Sequence, residues 1–478
     1  MRQARHIFLK DVRYLRYQII LVLLLALGLI WGGPRQINGS GPIGILLIAA
    51  ANFMIARLIH AEAIPGDRQF WVTRPYQWKS LLGAKLAFIF AFVQLPVLLA
   101  HLCVVLLSGF PLLSNVSGLL WTQLLITAFV SLPVAALAAM TGGLIQFVVA
   151  ALTVIAVASG AYSFLPFARA NLGPVDWVRN SIVFLALLAI AISALYVQYR
   201  RRRTIVSRTF ALSGLAIAAL VYLSIPWPLA FAVQSRLSRE PFDTKELTIS
   251  LDPSIRPRMG PAGVRQLEVL IPITVRGVPS GVDFRADAVS VQLQSASGRS
   301  WKGDFYEPAG DSRTESKERT VILRNTRPIN DEEYEILRQG PVTARVALFL
   351  TAFGKPRTET IALQQRPVNV MDGLQCYEAA SSRQGDVFCR SAFRWPASLI
   401  DARVAGSVAS SFAQFISYSP FPANLSLQPV ETRWASAYTS TKPLDTREVT
   451  ISLKEPVAHV RRDFELTGVN VREHSGVK

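Results

Sequence analysis

Histidine and cysteine are the residue types in this chain best suited to metal or nucleophilic chemistry, and both are scarce. No two of the histidines lie four residues apart, no H-E-x-x-H sequence occurs, and no C-x-x-C pair is present, so the sequence predicts no metal site. It also lacks a G-x-S-x-G nucleophile turn and paired carboxylates within its apolar runs. We therefore expect no catalytic residues and no enzymatic activity. The histidines are His6, His60, His101, His459 and His474.

Two of the three cysteines predict a structural feature instead of a reactive one. Cys376 and Cys389 lie thirteen positions apart with Gly385 between them, a spacing that suits a hairpin-like loop closed by a disulfide in an oxidising compartment. Two separately buried thiols are the alternative. Cys103 lies in an apolar run and is expected to be a free, buried thiol.

The chain divides near residue 238 into an apolar half and a polar half. Hydrophobic residues make up 51% of the chain, which is too many for a wholly soluble protein. Of 50 Lys and Arg and 32 Asp and Glu, the first 238 residues hold 19 basic and 4 acidic residues. Because the excess positive charge lies in the apolar half, it is typical of membrane topology and argues against a nucleic-acid partner.

The apolar half predicts an α-helical polytopic membrane bundle in contact with lipid. Each apolar run is close to the ~20 residues that cross a bilayer as a helix. The link Thr141–Gly143 has no charge, so the apolar runs on either side of it could also form one merged helix. Such a helix would be longer than a single bilayer crossing needs. We expect seven spans, at about Tyr17–Gly32, Pro42–Ile59, Gly83–Phe110, Ser117–Ala139, Gly142–Leu165, Asn180–Tyr199 and Thr209–Ala232.

The basic segments predict the orientation of this bundle. Arg2–Arg16 is typical of an amphipathic helix on the cytoplasmic surface; a secretory signal is the alternative, but further spans follow at once, which favours an uncleaved anchor. With the amino terminus inside, Arg57–Lys85 and Arg200–Arg208 are cytoplasmic, as the positive-inside rule requires. An odd number of spans then places everything after Val233 outside the cytoplasm. We expect a multi-pass protein of the plasma (inner) membrane.

The most distinctive polar segment is Glu62–Lys85, which reads E-A-I-P-G-D-R-Q-F-W-V-T-R-P-Y-Q-W-K-S-L-L-G-A-K. Its aromatic residues are candidate anchors for a protein contact, and its basic residues supply charge at the headgroup level. Interfacial anchoring of the bundle alone would also explain the tryptophans. The candidate docking residues are Glu62, Asp67, Arg68, Phe70, Trp71, Arg74, Pro75, Trp78, Lys79 and Lys85.

The order of these features resembles the segment between the second and third spans of ABC-2 type transporter permeases. The shared features are an acidic residue at the end of a span, a polar link, a bulky apolar pair, an R-P step, and small and basic residues before the next span. Pro75, Leu81, Leu82, Ala84 and Lys85 match a recurring pattern of that family. Over the first six spans the resemblance implies a homodimer or heterodimer of permeases, contacted at this segment by separate ATPase subunits.

The chain has no nucleotide-binding sequence of its own. A P-loop, G-x-x-x-x-G-K-[ST], holds nucleotide phosphates with backbone amides and a lysine, and none occurs here. A transporter of this family therefore depends on ATP bound by a separate partner subunit, and we expect no cofactor on this chain.

A few polar residues lie within the apolar runs. Together they could line a polar path, or each could join helices by hydrogen bonds. For His101 we favour a neutral imidazole that hydrogen-bonds Gln94 or Gln123. The scarcity of carboxylates in the spans argues against a proton-coupled carrier. The candidate path residues are Asn52, Gln94, His101, Gln123 and Gln146.

The polar half predicts an all-β, sandwich-like region. Its Val, Ile and Thr-rich segments alternate with turn residues at the spacing of a β-sandwich. One helix is expected at about Asp331–Arg338. The length suggests two packed β units with a boundary near Gln365–Asp372, so the expected domains are residues 1–238, 239–365 and 366–478. The expected strands lie at Glu246–Leu251, Leu267–Val275, Ala286–Leu293, Thr320–Leu323, Val342–Leu350 and Val449–Leu453.

These observations lead to one function and one alternative. The favoured function is a permease subunit of an ABC-2 type exporter whose extracytoplasmic β domain binds substrate, envelope material or a partner. The alternative is a non-transporting membrane anchor or scaffold that displays a β-sandwich interaction module. The large β domain favours this alternative, because simple members of the family end after six spans.

Overall fold

The structure is a computed structural model of the chain. It describes residues 2–32, 42–61, 77–172, 176–201, 203–236, 238–240, 242, 245–252, 270–277, 279, 282–306, 313–315, 318–325, 331–337, 339–362, 364, 366–371, 373–378, 386–392, 399–404, 413–415, 429–436 and 448–471.

The first half of the chain folds as a helical bundle, because its apolar segments satisfy their backbone hydrogen bonds internally as helices. Two helices contain a short π-helical segment that joins two α-helical stretches. The elements are α1 (Arg2–Tyr14), α2 (Arg16–Gly32), α3 (Pro42–His60), α4 (Trp78–Ile89), π1 (Phe90–Gln94), α5 (Leu95–Leu107), α6 (Leu112–Ile126), π2 (Thr127–Ser131), α7 (Leu132–Met140), α8 (Leu144–Leu172), α9 (Asp176–Arg201), α10 (Thr204–Ser224) and α11 (Trp227–Ser235).

The expected count of seven spans is wrong by the criteria of length and apolarity. Within the described residues, five helical stretches meet both criteria, and a sixth is added if α1 and α2, bent by 74° at Leu15, count as one span. Helix α2 has only 17 residues, about 26 Å of helix against a hydrocarbon core of about 30 Å. The apolar stretch described in α8, Leu144–Val157, is shorter still. The five stretches are Pro42–His60, Trp78–Leu107, Leu112–Met140, Val178–Arg201 and Thr204–Tyr222.

The amino-terminal segment is an amphipathic helix, as expected from its sequence. Ile7 and Asp11 of α1 are buried on the face that packs on α4, whereas Arg5 and Arg13 are exposed. An apolar stripe at helical spacing is what buries one face of such a helix. The acidic residue on that buried face was not expected.

The second half of the chain forms three antiparallel sheets. The largest has the strand order β1-β2-β6-β4-β3-β7-β16, with β5 paired to β6; the others are β14-β11-β10-β9 and β13-β12-β15-β8. The strands are β1 (Thr248–Leu251), β2 (Leu270–Arg276), β3 (Asp283–Gln294), β4 (Ser300–Tyr306), β5 (Arg313–Glu315), β6 (Glu318–Asn325), β7 (Val342–Phe353), β8 (Arg357–Ala362), β9 (Val368–Met371), β10 (Leu374–Glu378), β11 (Asp386–Ala392), β12 (Leu399–Val404), β13 (Ala413–Phe415), β14 (Val430–Ser436), β15 (Glu448–Lys454) and β16 (Pro456–Val469).

The six expected strand segments all overlap strands of these sheets, and the expected helix is α12 (Asp331–Leu337). The connections, however, cross the expected domain boundary near Gln365–Asp372. The last strand, β16, pairs with β7 of the first sheet, and β8 pairs with β15. The β region therefore exchanges strands between its amino- and carboxy-terminal parts.

The expected disulfide is confirmed, and it lies in the sheet β14-β11-β10-β9. Cys376 and Cys389 face each other across the antiparallel pair β10–β11, and both are fully buried. The neighbouring pair in the same register, Gln375 and Arg390, is hydrogen-bonded from the Arg390 Nε to the Gln375 Oε1 at 2.8 Å. Cys103 is free and half-buried.

The β region packs on one end of the helical bundle at the turn after α5. The Gln375 Nε2 donates to the backbone carbonyl of Ser108 at 2.9 Å, and the Arg390 guanidinium lies 5.9 Å from the centre of the Phe110 ring. Gly109 adopts a φ of 77°, and a Cβ there would lie 3.2 Å from the Gln375 Nε2. Glycine therefore permits both the turn and the close approach of the β10 side chain.

A second junction joins α11 to strands β7 and β16. The rings of Phe231 and Phe349 meet edge to face at 4.7 Å. The His459 Nδ1 lies 2.9 Å from the Gln234 Nε2 and 2.8 Å from the Thr351 Oγ1. The amide Nε2 can only donate, so this arrangement requires an unprotonated Nδ1 and a neutral imidazole. Burial lowers the pKa of His459 from 6.5 to about 4.

We expect this histidine to make the protein less stable in acid. Because the pKa of His459 is lower in the folded state than in the unfolded state, its contribution is complete above pH 6.5 and is lost as the pH falls toward 4. Across this range the free energy of unfolding should fall by on the order of 3 kcal/mol. Denaturant unfolding of the full chain in detergent at pH 7, 5 and 4 measures this fall. The free energy of unfolding of the His459→Gln variant should depend less on pH between 7 and 4, and the same pH dependence as in the parent protein would contradict the role given to His459.

Candidate docking site at one end of the bundle

Three segments that the sequence predicts to be cytoplasmic meet at one end of the helical bundle. They are α1, the start of α4, and the region where α9 ends and α10 begins. We call this the basic end, because its exposed residues include Lys79, Arg200 and Arg203. Helix α9 separates it from the β region: Val178 packs with Phe349 of β7, whereas Tyr196 contacts Trp78 of α4. At 1.5 Å per residue these positions are about 27 Å apart.

A buried ion pair joins α1 to α4. The Lys85 Nζ donates to the Asp11 Oδ2 at 2.8 Å, and the side chains are 1% and 0% exposed. Both ions lose their hydration on burial, and their mutual attraction and hydrogen bond offset that cost. The pair therefore fixes the position of α1 along α4.

Aromatic side chains extend the contact between α1 and the helix that contains π1. The Phe8 ring lies 6.1 Å from the Phe88 ring, edge to face, and 5.9 Å from the Phe92 ring, stacked. The rings of Phe88 and Phe92 are themselves 4.9 Å apart. This cluster adds an apolar contact beside the ion pair.

A row of two aromatic side chains, flanked by a cation at each end, links the start of α4 to the end of α9. The Trp78 ring meets the Tyr196 ring edge to face at 5.6 Å. The Lys79 Nζ lies 5.8 Å from the Trp78 ring, and the Arg200 guanidinium lies 5.3 Å from the Tyr196 ring. Cations at these distances are attracted to the ring faces. The row gives this end a cationic and aromatic surface, in which Lys79, Tyr196 and Arg200 are exposed and Trp78 is half-buried.

Hydrogen bonds connect the remaining helices of the basic end. The Arg208 side chain donates twice to the Met140 carbonyl, at 2.9 and 2.7 Å, and so satisfies a carbonyl at the end of α7. The His60 Nε2 lies 3.1 Å from the Thr141 Oγ1. The Gln146 Oε1 accepts from the Gly142 amide at 2.9 Å. Gln146 thus stabilises the link between α7 and α8.

The predicted docking residues fall into two groups. Trp78 and Lys79 lie in the row just described, whereas Lys85 is buried and paired with Asp11, so the expectation that it supplies charge at the headgroup level is wrong. The other residues lie outside the described residues, so their predicted role remains a prediction. They are Glu62, Asp67, Arg68, Phe70, Trp71, Arg74 and Pro75.

The candidate path residues do not form one hydrogen-bonded chain within the described residues. The Gln94 Nε2 donates to the Ser131 Oγ at 2.7 Å. Both polar atoms of the Gln123 amide are buried without a hydrogen-bond partner. The Asn52 Oδ1 is also buried without one. His101 is fully buried, and neither Gln94 nor Gln123 bonds it, so the expected hydrogen bond from His101 to one of these glutamines is wrong.

The sequence interpretation missed several contacts of the basic end. Asp11 is the single acidic residue of α1, and Tyr196 falls within the expected span Asn180–Tyr199. Their partners lie 74 and 118 positions away along the chain, so periodicity within one helix contains no signal of either contact. Phe8 and Phe88 lie on the apolar faces of their helices, and this was the only sequence signal for the contact between α1 and α4.

The described residues contain no group of three or more His, Cys, Asp or Glu side chains that could hold a metal ion. Taken together, the apolar helices and the β sheets define the class of this protein: a candidate polytopic membrane protein with a β-rich carboxy-terminal region. The chain matches no protein-family model and no curated protein.

We expect the ion pair to be essential for packing of α1. Lys85→Met leaves the Asp11 charge in an apolar site without its cation and should cost about 3–5 kcal/mol. The double variant Asp11→Leu/Lys85→Met removes both charges and should recover most of that loss. Thermal unfolding of the three proteins in the same detergent measures the effect. A double variant as unstable as Lys85→Met would show that the pair is not the source of the loss.

Proposed function

We propose that this chain is the permease subunit of an ABC-2 type exporter and that a separate ATPase subunit docks at the basic end. The observation that carries the proposal is the convergence of α1, the start of α4 and the end of α9 on one surface. This surface includes Trp78 and Lys79, which belong to the segment Glu62–Lys85 that resembles the family. By the same resemblance, the functional unit is a homodimer or heterodimer of permeases with ATP on the partner subunits.

The proposed orientation follows from charge and from the two ends of the bundle. The basic end lies in the cytoplasm, because Lys and Arg accumulate on that side of a membrane. The β region contacts the opposite end, through Ser108, Val178 and Ile225, and therefore lies outside the cytoplasm. This orientation does not depend on an odd number of spans, and it agrees with a buried disulfide in the β region.

The proposed coupling route is the continuous stretch from α4 through π1 to α5. It begins at Trp78 in the docking surface and ends at Leu107, beside the turn whose Ser108 carbonyl is bonded by Gln375. A displacement of α4 by the ATPase thus reaches the β region through one helical element. The β region would receive the substrate, envelope material or a protein partner on the far side.

One observation favours the alternative of a non-transporting anchor that displays the β region. The polar residues within the described helices are separate from one another: Gln94 bonds Ser131, Gln146 bonds Gly142, and Gln123 has no partner. A bundle without a connected polar path is sufficient for an anchor. Exporters of amphipathic substrates do not require such a path either, so we retain the exporter as the first proposal.

Copurification from the native membrane tests the proposal. The tagged full chain should retain a stoichiometric P-loop ATPase in mild detergent, and Trp78→Ala should reduce its recovery at least about tenfold if Trp78 is a central anchor. The loop variant Trp71→Ala/Arg74→Ala should do the same. Trp31→Ala is the matched control, because Trp31 lies at the opposite end of α2 and is 73% exposed.

Two results would contradict the exporter. Reproducible absence of an ATPase from intact parent protein would favour the anchor. Equal losses from Trp78→Ala and Trp31→Ala would mean that any tryptophan substitution weakens recovery, and the basic end would lose its assignment as the docking surface.

A further inference from the structure

A seven-residue sequence occurs twice in the helical bundle. Residues 91–97 read A-F-V-Q-L-P-V and residues 128–134 read A-F-V-S-L-P-V, so the copies differ only at Gln94 and Ser131. Each copy extends from a π-helical segment into the following α-helix, π1 into α5 and π2 into α7. One sequence pattern therefore produces the same local geometry twice.

The proline in each copy explains the π-helical geometry. Proline has no amide hydrogen, and its ring clashes with the carbonyl four residues earlier in a regular α-helix. The π turn widens the helix before each proline: Leu95 donates to the Phe90 carbonyl and Leu132 to the Thr127 carbonyl, five residues back. Both stretches continue across the proline as candidate spans, without a break.

The two copies meet at the one position where they differ. The Gln94 Nε2 donates to the Ser131 Oγ at 2.7 Å, and these side chains are 6% and 1% exposed. The Gln94 Oε1 is buried without a hydrogen-bond partner, so the amide is held on one side only. Hydrogen bonds between membrane helices are weak on average, which makes this contact easy to open.

The paired segments divide the bundle into two parts. On one side, α4 and α7 lead to the basic end, where Lys85 pairs with Asp11 and Arg208 bonds the Met140 carbonyl. On the other side, α5 and α6 are joined by the short turn that contacts the β region through Ser108 and Phe110. Each part is thus fixed to a different end of the bundle. Along the chain, α4 is joined to α5 by π1, and α6 is joined to α7 by π2.

We propose that π1 and π2 form a paired hinge, closed by the hydrogen bond between Gln94 and Ser131, at which the α5–α6 hairpin pivots relative to α4 and α7. A π turn is a local interruption of the α-helical ladder and a common site of bending. Two such turns at the same depth in neighbouring antiparallel helices allow both to bend together. The hinge transmits motion between the basic end and the β region whether or not an ATPase drives it.

Distance measurements between spin labels test the hinge in the full chain in lipid nanodiscs. The labels are placed at Leu113→Cys, at the start of α6, and at Ile45→Cys, at the start of α3; the native residues are 92% and 63% exposed. The free thiol is removed by Cys103→Ser, and the disulfide stays oxidised. A swing of about 15° on the lever of about 21 Å from Leu113 to π2 moves that label by about 5 Å.

We expect Gln94→Leu to add a second population about 5 Å from the parent distance, because it breaks the bond between the two turns. Ser131→Ala breaks the same bond from the other helix and should give the same result even if one variant folds poorly. Gln123→Leu is the matched control: it removes a half-buried glutamine from α6 that has no hydrogen-bond partner, and it should leave the parent distance unchanged.

The hinge is overturned by either of two outcomes. If Gln94→Leu and Ser131→Ala lower the melting temperature but keep the single parent distance, the bond only stabilises the bundle. If Gln123→Leu shifts the distance as much as they do, the loosening is not specific to the paired turns. Neither readout requires a partner protein, so failure of the hinge is distinguishable from failure of the proposed docking.

Discussion

The buried ion pair between Asp11 and Lys85 determines the arrangement of the basic end. Removing two ions from water is costly, and the cost is offset only when they meet in one defined geometry. The pair therefore restricts the position of α1 on α4. The chain bends sharply at Leu15, because α2 must then run back through the bundle. With α1 and α4 joined, the row from Lys79 to Arg200 is exposed beside them. A surface that depends on an ion pair is defined more sharply than one built from apolar contacts alone.

The same requirement for satisfied polar groups governs the rest of the bundle. Apolar surroundings force the backbone to complete its own hydrogen bonds, so the prolines at 96 and 133 are accommodated by π turns. At the opposite end, Gly109 gives Gln375 access to a free carbonyl, and Arg179 donates twice to the carbonyl of Ile225. Each end of the bundle is thus completed by polar contacts, one set within the helices and one set with the β region. The molecule is organised as two anchored ends with two bendable helices between them.

Local patterns in the sequence predicted most of the secondary structure, and contacts between distant segments explain the rest. Apolar runs and alternating segments were sufficient for the helices and for six strands, and the spacing of Cys376 and Cys389 was sufficient for the disulfide. The span count differs because α2, which matches its predicted run, has only 17 residues and counts as a span only together with α1, and because the described apolar stretch of α8 covers only Leu144–Val157. Burial of Lys85 and the return of β16 to β7 depend on residues far away in the chain. The repeated heptapeptide was visible in the sequence, but its meaning required the position of Gln94 beside Ser131.

The proposed orientation places the basic end and the β region on opposite sides of one membrane. Single cysteines at Lys79, in the docking surface, and at Lys355, exposed beyond β7, test it in a Cys103→Ser background. Whole cells or spheroplasts are treated with a membrane-impermeant maleimide before and after permeabilisation. With this orientation, Lys355→Cys reacts in intact cells and Lys79→Cys reacts only after permeabilisation. Labelling of both cysteines under the same condition would contradict it, because the two ends would then share one side.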